Sequence, residues 1–155
     1  MNNLDSSTLQ AIVTDALERT AFVVADPIDG IDADEGVSNF AFVAFSGPIN
    51  GKVIVGASEG FLRELASSLL GVEPDEVDPD AEGDDALREL ANIIGGSVVT
   101  AFGGEINNFS LGLPERTDTD SVPDDGAALQ CVFDSEGEAL SVKVWPVAQS
   151  GAQAA

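Results

Sequence analysis

Histidine and tyrosine are missing from this 155-residue chain, cysteine occurs once, and lysine only at Lys52 and Lys143. Without histidine, the commonest general base and metal ligand is gone, and with it any serine–histidine or cysteine–histidine nucleophile. A single cysteine forms no internal disulfide. Cys131 lies in the apolar run "ALQCVF" and reads as a small buried hydrophobe. Six basic residues against 28 acidic ones give a formal net charge of -22. Nucleic acid binding needs cations to displace counterions from phosphates, so that partner class is excluded. An anionic membrane surface repels the chain for the same reason. The scarcity of lysine hints at a high-salt setting. No apolar run reaches spanning length, and "MNNLDSSTLQ" has neither the basic nor the apolar part of a signal peptide, so a cytoplasmic location is expected.

What is present is a globular composition, 44% hydrophobic, sized for one domain over residues 1–155, with the stretch after about residue 147 expected to be a disordered tail. Ser7 with Gln10 reads as a capping box opening an amphipathic helix through about Val24, with Leu9, Ile12, Val13, Ala16 and Leu17 at helical spacing. "DPIDGIDADEG" reads as an acidic loop. Phe40–Phe45 and Lys52–Val55 flank a turn containing Pro48, which predicts a hairpin. Ser58 caps a second helix closed by Gly71, and a third runs from about Asp84 to Phe102. "INNFSLGLP" alternates like a half-buried strand ending at Pro114; after another acidic loop at 118–125, "ALQCVF" and "ALSVKVW" make a second hairpin. Trp145, near the end of that hairpin, reads as core packing before interface. The order of elements predicts an α+β fold, an antiparallel sheet with long helices packed on one face.

The third helix carries the functional question. At about 100° per residue, separations of 4, 7 and 11 return to nearly the same side. Asp85, Glu89, Asn92 and Gly96 therefore form one narrow stripe, opposite Leu87, Leu90, Ala91, Ile94, Val98 and Ala101. The apolar side must be buried, so the polar stripe must face out. Solvation alone accounts for most outward Glu and Asn residues. Yet Asn is a poor helix-interior residue, and Gly95-Gly96 costs about 1 kcal/mol per glycine relative to alanine. The two glycines would also leave the surface beside Asn92 open to the close approach of another backbone.

The spacing Asp-x-x-x-Glu-x-x-Asn at Asp85, Glu89 and Asn92, followed by Pro114, resembles the motif of the CheC/CheX/FliY family of chemotaxis phosphatases. The context is similar as well: the helix "LQAIVTDALERTAFVVAD", the hairpin "FSGPINGKVIVGAS", then "ELANIIGG" and "FSLGLP". The first helix has Glu18 but no Asn three residues later, which matches the single-motif CheX type. The resemblance implies dephosphorylation of a phosphorylated CheY-like response regulator. Glu89 would pair with a regulator lysine and Asn92 would orient the attacking water. Asp85, Gly95 and Gly96 would lie against the partner. No cofactor of its own is implied; the Mg²⁺ and the phosphorylated aspartate belong to the regulator. Homodimer formation is left open. A non-catalytic adaptor using the same helix face is the alternative from another class.

The same residues admit a third reading. "DPDAEGDDALRE" places Asp78, Asp80, Glu82, Gly83 and Glu89 at positions 1, 3, 5, 6 and 12 of an EF-hand-like Ca²⁺ loop. Glu at position 5, Asp85 at the usually apolar position 8 and the lack of a second loop weigh against it.

Overall fold

The computed structural model describes residues 5–20, 26–28, 37–47, 50–78, 80–103, 109–117, 129–135 and 137–145. Among the described residues, three α-helices, α1 (Ser6–Thr20), α2 (Glu59–Leu70) and α3 (Glu82–Gly103), accompany seven strands. The strands are β1 (Asp26–Ile28), β2 (Asn39–Ser46), β3 (Gly51–Ala57), β4 (Ser110–Leu111), β5 (Glu115–Thr117), β6 (Leu129–Ser135) and β7 (Glu138–Trp145). A short 3-10 helix, Pro74–Glu76, joins α2 to α3. The α+β class and the antiparallel sheet read from the sequence are borne out.

The sheet runs β1-β6-β7-β3-β2-β4, with β5 also on β2, and every pairing is antiparallel. Strand alternation sorts its two faces. In the β2–β3 hairpin, Ala41 sits opposite Val55 and Val43 opposite Val53, all four buried toward the helices. Leu140, Val142 and Val144 of β7 join them from the other side. The intervening residues face away, where Val37, Phe40 and Ile54 form a smaller buried patch backed by Phe42 and Trp145. Trp145 thus packs within the protein's own framework.

The helices end where local chemistry ends them. Asp5, not Ser7, caps α1: its Oδ1 accepts the Thr8 backbone N–H at 2.8 Å, which also holds its carboxyl below the usual range. The continuation of that helix to Val24 falls outside the described residues. Ser58 caps α2 as expected, accepting from the Phe61 N–H at 3.2 Å, and Gly71 closes it at φ 76°.

One expected loop contains a strand, and another strand precedes the loop expected at 118–125. Asp26–Ile28 pairs with β6 as an edge strand, and Glu115–Thr117 pairs with β2. Of the strand expected over 106–114, residues 106–108 lie outside the described residues, and only Ser110–Leu111 pairs with β2, with the Gly112 N–H donating to the Ala44 carbonyl at 2.8 Å; beyond Pro114, Glu115–Thr117 adds to the same edge. Pro48, the loop at 118–125 and the tail after 147 lie outside the described residues. Among the described residues, no helix is long and apolar enough to cross a membrane.

Cys131 faces the helix-side core, 5% exposed, and desolvation pushes its thiol up to about 12. The thiol therefore stays neutral near neutral pH, which removes it as a nucleophile. Alkylation by iodoacetamide at about pH 8 is expected to be at least about a hundredfold slower in the native protein than in urea, with rates followed by mass spectrometry.

Candidate active site

Helix α3 is seated by its apolar side. Leu87, Ala91, Ile94 and Val98 are fully buried and Leu90 is 1% exposed, against strands β2 and β3 and the flanking helices α1 and α2. Truncating one such leucine to alanine costs about 2–5 kcal/mol, so rotation of the helix about its axis is strongly opposed. That seating leaves Asp85 and Glu89 exposed, and Asn92 and Gly96 half-buried on the outward side.

Two further contacts fix the helix. Near its start, Asp84 accepts from Arg88 Nε at 3.0 Å and from Arg116 Nη1 of β5 at 2.8 Å. Arg116 also donates to the Phe40 carbonyl at 3.1 Å and to Asn39 Oδ1 at 3.2 Å, so the fork ties α3 to both β5 and β2. Acidic residues in this first turn also suit the positive end of the helix dipole. Farther along, Gly95 rests on the sheet. A Cβ there would lie 2.6 Å from Val43 Cγ1.

The two glycines therefore differ. Gly95 is buried against β2 and is removed from the partner-facing set, because its missing side chain makes room for Val43. At Gly96 a Cβ would meet nothing within 4 Å, so the protein's own packing gives no reason for glycine there. Asp85 stays on the outward side with its side chain 76% exposed, but its carboxylate is held by Arg88 Nη2 at 2.6 Å. Glu82 accepts from the Asp78 N–H at 2.9 Å. Glu89 and Asn92 differ from these neighbours: among the described residues, neither side chain makes an internal hydrogen bond or ion pair.

Open depressions flank the pair. One, between the end of α2 and the start of α3, is lined by Leu69, Leu70, Glu82, Asp85, Ala86 and Glu89, with Leu70 51% exposed. The other is lined by Asn92, Ile93, Gly96, Ser97, Thr100 and Leu111. Pro114 lies between β4 and β5, close to the second depression in sequence and half-buried.

The EF-hand-like reading is overturned by where the helix begins. A Ca²⁺ loop keeps its first nine or so positions out of regular helix, whereas Glu82 and Gly83, at positions 5 and 6, already belong to α3. Asp78 Oδ1 accepts the Asp80 N–H at 3.0 Å, and Glu89 sits well along the helix. Among the described residues, no three His, Cys, Asp or Glu side chains are grouped to hold a metal ion.

The sequence model of the family described as chemotaxis phosphatase CheX matches residues 40–133. The chain belongs to the CheX family. Its fold is similar to chemotaxis protein CheX from Desulfovibrio desulfuricans, with a TM-score of 0.69 at 19% identity over 90% of this chain and 96% of that one. It is also similar to CheX from Vibrio vulnificus, with a TM-score of 0.71 at 18% identity over 88% and 94% of the two chains. A third similar structure is a CheX–CheY–BeF₃–Mg²⁺ complex from Borrelia burgdorferi, with a TM-score of 0.69 at 21% identity over 88% and 93%. No curated protein sequence matches. Glu89 and Asn92, singled out in the sequence, both lie on α3 within the matched residues.

The Asp84–Arg88–Arg116 fork was not legible as a site feature. The spacing of Asp84 and Asp85 with Arg88 announces the helix-local half, but nothing in sequence announces Arg116.

The contrast between the glycines is measurable in urea unfolding. Gly95→Ala is expected to lose about 1–2 kcal/mol, the overpacking against Val43 outweighing the gain in helix propensity. Gly96→Ala, with open space around it, is expected to gain about 1 kcal/mol.

Proposed function

We propose that this CheX-family chain accelerates hydrolysis of the aspartyl phosphate on a CheY-like response regulator in the cytoplasm, with Glu89 and Asn92 as the working pair. The observation that carries the proposal is their idle state. On a helix where Glu82, Asp84 and Asp85 all have internal partners, the carboxylate of Glu89 and the amide of Asn92 have none among the described residues. A carboxylate left unpaired at the surface is free to meet a cation supplied by another molecule.

The chemistry requires little more. Water attacks the phosphorus opposite the aspartyl oxygen, the P–O bond to that oxygen breaks, and its electron pair returns to the regulator's carboxylate. A proton of the water passes to the departing phosphate. Bond breaking runs ahead of bond making in such a displacement, so positioning matters more than a strong base. An amide suits this task, since Asn92 can hold the water by hydrogen bonds without bringing negative charge toward the phosphoryl oxygens. Glu89 would dock on the regulator's lysine beside the acyl phosphate and fix the approach. The Mg²⁺ would come with the regulator. Asp85 and Gly96 would lie against the partner on either side of the pair.

Phosphate release from a phosphorylated CheY-type receiver domain tests this directly. Asn92→Ala is expected to lower the accelerated rate at saturating protein about a hundredfold, the scale seen on removing one preorganised amide from a reaction centre. Glu89→Gln is expected to act mainly on KM, raising it about tenfold, as loss of a charge-assisted contact does. Wild-type protein that binds the receiver without speeding release would assign the adaptor role instead.

A further inference from the structure

The outward side of α3 changes character halfway along. Up to Glu89 it carries Glu82, Asp84, Asp85 and Arg88, whereas from Leu90 to Gly103 there is no ionisable side chain. Much of that second half is buried, and apolar residues are required there. The exposed and half-buried positions are different: Asn92, Ile93, Gly96, Ser97 and Thr100 touch solvent, and all are neutral. Leu111 completes the depression beside them, and the neighbouring segment 109–114 has no charge either, with Leu113 82% exposed. In a chain with a net charge of -22, this is, among the described residues, an uncharged window on an anionic surface.

We propose that this window is the seat of the receiver's phosphorylated face, and that the step in charge at Glu89 sets which way round the receiver docks. The inference rests on the function proposed above and adds the orientation and the source of phosphate selectivity. The phosphorylated face of a receiver carries an anionic phosphoryl group. Against most of this protein's surface it would be repelled, since bare charges act across about 10 Å at 0.1 M salt. Over Asn92, Gly96, Ser97 and Thr100 it meets hydroxyl and amide groups and the bare backbone of Gly96. The acidic half, with Glu89 unpaired among the described residues and Leu70 exposed at the adjoining depression, is left for the cationic and apolar surface beside the phosphorylated site. A receiver turned end for end would put anion on anion and cation on a neutral surface, so the wrong orientation is penalised at both ends.

Thr100 is the place to test this. It is exposed, its side chain's one described hydrogen bond is the Oγ1 donation to the Gly96 carbonyl at 3.0 Å, and it lies outside the working pair. Thr100→Glu, Thr100→Gln and Thr100→Lys all lose that bond and differ in charge. Each would be titrated against CheY-type receiver domains of the same cell, in Mg²⁺, with and without beryllofluoride. For the beryllofluoride form, Glu is expected to weaken binding about fivefold relative to Gln and Lys to strengthen it about as much, both effects fading at about 0.5 M salt. For the unmodified form, the three should agree within about twofold.

Equal binding of the beryllofluoride form by all three variants overturns the window, and it leaves the catalytic proposal standing if wild type still accelerates phosphate release. The signed series without acceleration supports the window and removes catalysis. A wild-type protein that binds no receiver in either form overturns both. Thermal unfolding of the three variants checks that folding is not what separates them.

Discussion

The seating of α3 by its apolar side is the constraint from which the rest follows. Leu87, Leu90, Ala91, Ile94 and Val98 fix which way the helix faces, but a buried stripe alone permits sliding along the axis. Two contacts oppose that sliding. The Asp84–Arg116 pair holds the first turn to the sheet edge, and Gly95 settles onto Val43 about three turns later. Glu89 and Asn92 lie between these two points. Their backbone is therefore held from both sides, while their side chains have no internal partners among the described residues. A rigid element presenting idle polar groups is what positioning chemistry asks for, because geometry settled at folding is not ordered again at each encounter.

The acidity of the chain has the same two-sided character. Arg19, Arg63, Arg88 and Arg116 each hold a carboxylate of the protein itself, and Lys52 sits 4.7 Å from the centroid of the Phe42 ring. Cations are thus spent on internal contacts and the surface is left to the acids. Most of these pairs are exposed and contribute little individually. The Asp84 fork is more sheltered, with 18% of the Asp84 side chain exposed, and it joins elements far apart in sequence.

Periodicity made α3 legible, and with it the outward stripe, because a 22-residue helix with one apolar side has a single way to face a sheet. The two long hairpins were legible for another reason, as pairs of β-prone runs flanking turn residues, and their strands are seven or eight residues long. Short edge strands were not. Asp26–Ile28 and Glu115–Thr117 have three residues each and no alternation to read, so their pairing depends wholly on partners far away in the chain. Asp5 displaced Ser7 as the cap of α1 because several residues near a helix start are chemically competent, and geometry selects among them. The separate roles of Gly95 and Gly96 were likewise invisible in a pair of identical letters. Only the position of Val43 distinguishes them.

The placement of the two lysines has a practical consequence. Lys143 is 5% exposed, while Lys52 stands on the sheet surface that points away from the helices. Among side-chain amines, coupling chemistry that is gentle enough to keep the protein folded will therefore find Lys52. A molecule tethered or dye-labelled there turns its α3 side toward the bulk solution, so the protein comes with its own handle for surface-based measurements, on the side opposite the one to be measured.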